Sequence, residues 1–134
     1  MMEAVGRILT PVLVANPLDP TRSIRFDALV DTGSSLLVLP MAWKERLNLA
    51  TSERVEMETA DQRVVTSEVA GPARIQIEGF RPVFSEVAFL DMEPQNGSYE
   101  PLLGYIVLEQ SQAAVDILGH RLVKVKALDL KYFK

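Results

Sequence analysis

The chain has 134 residues, a formal net charge of −4 and a sequence pI near 5.0, with 48% hydrophobic and 24% charged residues. That length fits one domain, residues 1–134, with a core that needs no disulfide or metal staple. The acidic balance without any Lys/Arg cluster argues against a nucleic-acid partner, and the absence of cysteine excludes disulfide and thiolate chemistry.

In chain order the pattern is of many short strands separated by turn residues. Ile8 to Ala15 reads as a first strand, with Pro11 marking an edge or bulge and Asn16-Pro17-Leu18-Asp19-Pro20 as the turn after it. Arg7 and Pro11 interrupt the apolar run from Val5 to Ala15, and no 18-residue apolar run occurs, so neither a leader nor a membrane span is expected. The expectation is a soluble, cytoplasmic protein. Ile24 to Val30 alternates, with Phe26, Ala28 and Val30 on one face and Arg25 and Asp27 on the other. Leu36 to Leu39 is continuously apolar, the pattern of a buried strand. Pro40 suits a first helical position, and Trp43 and Leu47 at i, i+4 mark a short helix. Val55 to Val69 reads as a hairpin turning near Ala60-Asp61-Gln62, and Arg74 to Glu78 as a half-buried strand. Val83 to Leu90 is another strand, followed by a surface loop over Glu93 to Tyr99. Leu102-Leu103 opens a further strand, Tyr105 to Gln112 a short helix, and Ala114 to Asp116 pairs with Arg121 to Leu130 across Leu118-Gly119. His120, the only histidine, falls in that turn, which leaves no His-pair metal site and no basis for a Ser-His-Asp triad. No metal and no other cofactor is expected.

The segment that carries chemistry is Ala28-Leu29-Val30-Asp31-Thr32-Gly33-Ser34-Ser35-Leu36-Leu37-Val38-Leu39, an acidic turn between two apolar runs. Asp and Gly after a strand are ordinary turn residues on their own. The two flanking runs, the paired serines and the downstream Leu102-Leu103-Gly104 make the segment more specific. It resembles the active-site loop of the aspartic proteases, hydrophobic-hydrophobic-Asp-Thr-Gly followed by Ser or Ala. The resemblance extends roughly from Ile24 to Val123. Strand-Asp-x-Gly-Ser is also similar to the phosphate loop of the sugar kinase and actin superfamily, but those proteins need two large domains and this chain is too short for them.

One copy of the motif in a short chain resembles the retroviral-type, retropepsin-like branch. The resemblance implies an all-β half-barrel with one or two short helices and an active site formed across a homodimer. Peptide hydrolysis needs a base to activate water and an acid to protonate the substrate. Two carboxylates about 3 Å apart share one proton and supply both. Asp61, Asp91, Asp116 and Asp129 lack a following Thr-Gly or Ser-Gly, so the second carboxylate would be Asp31 of another chain. By the resemblance, Asp31 is catalytic and Gly33 permits the tight turn and offers its backbone to the substrate. Thr32 locks the two loops together across the dyad. Ser34 donates a hydrogen bond to the Asp31 carboxylate, which would favour activity at acidic pH. Leu102, Leu103 and Gly104 pack against the loop and line the cleft, and Thr59, Ala60 and Asp61 belong to a flap that closes over substrate. That tip lacks the glycines of the retroviral enzymes, and Tyr105-Ile106 replaces the polar residue that relatives carry after the glycine. The expected substrate is an extended peptide or unfolded protein. The alternative is a catalytically silent dimer of the same fold that binds or scaffolds other proteins.

Overall fold

The computed structural model describes residues 7–58 and 61–125. Strands β1 (Leu9–Asn16) and β2 (Asp19–Val30) form an antiparallel hairpin, paired from Leu9 opposite Leu29 to Ala15 opposite Ser23. Asn16 closes it. Its side-chain oxygen accepts from the Leu18 N–H (2.8 Å), and its amide donates to the Leu47 and Asn48 carbonyls (both 3.0 Å). A 31–36 loop then leads into β3 (Leu37–Pro40), all four residues of which are buried, as a continuous apolar run requires.

Pro40 is not the first helical residue. It ends β3 with an extended ψ of 139°, and a single 3₁₀ turn (Met41–Trp43) follows before helix α1 (Lys44–Leu47). The ring fixes φ at a value shared by helix and extended chain, so proline alone does not decide ψ. Left-handed Asn48 (φ 51°) stops α1 after one turn.

Strands β4 (Thr51–Glu58) and β5 (Val64–Ile77) form the next hairpin, and β6 (Pro82–Leu90) returns beside β5. Arg74 to Glu78 is therefore not a separate strand: through Ile77 it is the second half of β5. A register irregularity between Ala70 and Ala73 lets β5 change partners. Its first half pairs with β4, and Arg74 to Ile77 pair with β1. Two-residue β7 (Leu102–Leu103), helix α2 (Tyr105–Ser111) and a small hairpin of β8 (Ala113–Asp116) and β9 (Arg121–Lys124) complete the described chain. The part of the last strand expected from residue 126 onward lies outside the described residues. His120 is exposed in the β8–β9 turn.

The main sheet has the order β1-β2-β7-β3-β6-β5-β4, and the extra β1–β5 pairing bends it back on itself. Inside lie Val12, Val14, Leu37, Leu39, Ile75, Ile77, Val87, Phe89, Leu103 and Val107. Each of the larger of these contributes about 1.5–3 kcal/mol by leaving water. Among the described residues no helix is long and apolar enough to cross a membrane.

Candidate active site

Asp31 follows the last residue of β2, where β7 is inserted between β2 and β3. The short strand runs parallel to β2 (Leu29 opposite Leu102, Val30 opposite Leu103) and antiparallel to β3 (Val38 opposite Leu102). The Leu29 N–H donates to the Pro101 carbonyl (2.8 Å) and the Asp31 N–H to the Leu103 carbonyl (2.9 Å). The backbone on which the carboxylate stands is thus pinned from below.

Within the loop, one Asp31 carboxylate oxygen accepts from the Gly33 N–H (3.0 Å), and the Asp31 carbonyl accepts from the Ser34 N–H (3.1 Å). These bonds make a tight Asx-type turn that fixes the carboxylate. Asp31 is half-buried, and Thr32 and Gly33 are exposed. The turn does not need Gly33 for a left-handed conformation. What it needs is room, because a Cβ there would stand 3.2 Å from the Asp31 carboxylate oxygen.

The Ser34 hydroxyl does not donate to Asp31. It donates to the Leu36 carbonyl at 2.9 Å, and a hydroxyl has a single proton to give. In this chain Ser34 stabilises the loop's exit, and a main-chain N–H takes the place at the carboxylate that the resemblance gave to the hydroxyl.

The loop is held on its other side by α2. Its first two N–H groups, which have no partner within the helix, donate to the Ser34 carbonyl (Tyr105, 2.9 Å) and the Ser35 carbonyl (Ile106, 3.1 Å). The approach is so close that a Cβ on Gly104 would lie 2.5 Å from the Leu36 carbonyl oxygen and 2.6 Å from that of Ser34. The helix is therefore tied to the loop through backbone, and the absence of a polar side chain after Gly104 does not remove the tie. Tyr105 itself is partly exposed.

A cleft of about 350 Å³ opens beside the loop. Its walls are Gly33 to Leu36 of the loop, the paired Val38 and Ala88 of β3 and β6, and the paired Val55 and Ser67 with Val69 of the β4–β5 hairpin. Leu102, Leu103 and Gly104 are not among these walls: Leu103 and Gly104 are buried, and Leu102 is half-buried. Of the lining residues, sequence singled out Gly33 and Ser34 but not Val38, Val55, Ser67, Val69 or Ala88, although the alternation that places Val55 on one face of its strand was available. Of the expected flap tip, Thr59 and Ala60 lie outside the described residues. Asp61 is exposed and ion-paired with Arg63 (3.0 Å) beside left-handed Gln62 (φ 66°). Among the described residues no cluster of His, Cys, Asp and Glu could hold a metal ion.

Residues 21–107 match the model of a family described as aspartyl protease. Among solved structures the chain is similar to the EIAV protease complexed with the inhibitor HBY-793. The identity is 20% over 78% of this chain and 86% of that one, with a TM-score of 0.55. That likeness shows the fold, an all-β retropepsin-like architecture with two short helices. No curated protein matches the sequence.

Proposed function

The chain belongs to the aspartyl protease family, and on that premise we propose that it is a homodimeric aspartic endopeptidase with Asp31 as its catalytic residue. The observation that carries this reading is the Asp31 loop. A half-buried carboxylate, held by a main-chain N–H, sits two residues from the wall of a mostly apolar cleft that has no carboxylate of its own. One chain brings one acid, so the dyad is completed by Asp31 of a second copy, across an isologous two-fold interface.

The two carboxylates share one proton, because like charges at that separation do not both ionise. The ionised member takes a proton from water as the water attacks the scissile carbonyl. The neutral member gives its proton to the carbonyl oxygen, and as the resulting diol collapses it takes a proton back from a diol hydroxyl. The first member meanwhile passes the proton it took from water to the leaving amine, which restores the singly protonated dyad. Thr32, exposed beside Asp31, bridges to the partner's loop. An extended peptide lies between the loop and the β4–β5 hairpin, bonded through its main chain, and one apolar side chain fills the cleft between Val38, Val55 and Val69.

The test is hydrolysis of casein from acidic to neutral pH, with and without pepstatin. The expected result is cleavage strongest at acidic pH, abolished by pepstatin and by Asp31→Asn. A folded dimer that cleaves nothing at any pH would instead identify a silent binding module. Cleavage that survives Asp31→Asn would remove the aspartic mechanism.

A further inference from the structure

β5 leaves the sheet at a definable point. Its outermost pair with β6 is Ser67 opposite Leu90, whereas its pairing with β4 continues out to Glu58 opposite Val64. Beyond Ser67, among the described residues, the two strands pair only with each other. A lone two-stranded ribbon is marginally stable, so the hairpin's position over the loop is decided at its root.

Glu68 stands at that root, and it is the one buried acid among the described residues. Its neighbours Ser67 and Val69 line the cleft, so alternation places its side chain on the opposite face. There its carboxylate accepts a hydrogen bond from Lys44 of α1. It also pairs with the Arg54 guanidinium at 3.2 Å, and Arg54 is its cross-strand partner on β4. A buried carboxylate is costly unless paired. Here the two cations come from two different elements.

We propose that Glu68 is a positioning residue for the cleft. By joining α1 to β4 and β5 at the root of the hairpin, it sets where Val55, Ser67 and Val69 stand relative to the Asp31 loop. Its effect on catalysis rests on the peptidase reading, while its effect on the hairpin does not. The Lys44 hydrogen bond holds the Glu68 carboxyl below the ordinary 4.5. Burial opposes this, and the Lys44 and Arg54 charges and the Thr51 hydroxyl reinforce it. A carboxyl lowered in the folded state contributes stability that is present above 4.5 and lost as pH falls through the lowered value. The ion-paired anchor is therefore fully formed above 4.5 and weakens only at lower pH.

The experiment is amide hydrogen exchange on the full chain in an Asp31→Asn background, so that the readout is independent of activity. Glu68→Gln, nearly isosteric, should speed exchange over residues 53–58 and 64–67 by roughly tenfold, with β1 and β2 unchanged. Lys44→Gln should act in the same direction with a smaller effect, and it carries the test if Glu68→Gln does not fold. With Asp31 restored, Glu68→Gln should raise KM several-fold while kcat stays within about twofold. Unchanged hairpin exchange in a folded variant overturns the proposal, as does equal acceleration in β1 and β2, the mark of a general stability residue. Faster hairpin exchange in a protein whose wild type cleaves no peptide supports the anchor and refutes the peptidase reading.

Discussion

The Asp31 loop and the β4–β5 hairpin face each other across one cleft and are held by different forces. The loop is fixed almost wholly by main chain: the Leu103 carbonyl below, the Tyr105 and Ile106 N–H groups behind, and the Gly33 N–H on the carboxylate. The hairpin beyond Ser67 is held by its own ladder, by the Lys44–Glu68–Arg54 group at its root and by Asp61–Arg63 at its tip. Backbone bonds in a packed setting are insensitive to pH and salt and to most side-chain changes. Ion pairs respond to both. On the proposed reading, the part that would do the chemistry is held rigidly by main chain, while the part that would cover substrate is adjustable through charge.

Asp31→Asn should have the largest effect. Peptide hydrolysis should fall by roughly 10²–10⁴-fold or more, with the thermal transition nearly unmoved, because Asn still accepts from the Gly33 N–H. Gly104→Ala should do the reverse and act through the fold. Its methyl group meets backbone oxygens that cannot rotate away, so stability should drop by about 1–3 kcal/mol, read as a Tm lower by several degrees. Activity should fall with it as the loop shifts.

Ser34→Ala probes the loop at a side chain. Losing the bond to the Leu36 carbonyl should cost about 0.5–1.5 kcal/mol. Since the hydroxyl does not touch Asp31, the acidic limb of the pH–rate profile should stay in place. An acidic limb moved upward would mean that the hydroxyl turns to the dyad when the dimer or substrate is present. At the hairpin tip, Arg63→Gln removes an ion pair whose partners are 75% and 61% exposed. It should change stability by no more than roughly 1 kcal/mol, as measured by urea unfolding.

Much of this arrangement was legible in the sequence because it rests on period and turn chemistry. Ala28 to Leu39 announced strand, acidic turn and buried strand, and Leu102-Leu103-Gly104 announced the element that supports it. The rest depends on contacts distant in the chain. Nothing local says that β5 runs through Gly71-Pro72 and exchanges β4 for β1, because both halves alternate as separate strands would. The motif suggests the Asp31 carboxylate as acceptor for the Ser34 hydroxyl, and only the loop's path decides for the Leu36 carbonyl. Gly104 looked like packing, but its requirement is steric, set by carbonyls about 70 residues earlier. Glu68 was one acid among many until its two cations were brought to it from α1 and β4.

Whether one chain holds half of a shared site is decided by mixing chains. Asp31→Asn chains are added to a fixed amount of wild type at concentrations where the dimer forms, and peptide hydrolysis is followed after re-equilibration. An equal amount of the variant should lower activity to about half, the share of active chains that still meet an active partner under random pairing. A large excess should abolish activity. Hydrolysis that stays constant at every excess of variant would contradict a shared site, because each chain would then carry a complete one.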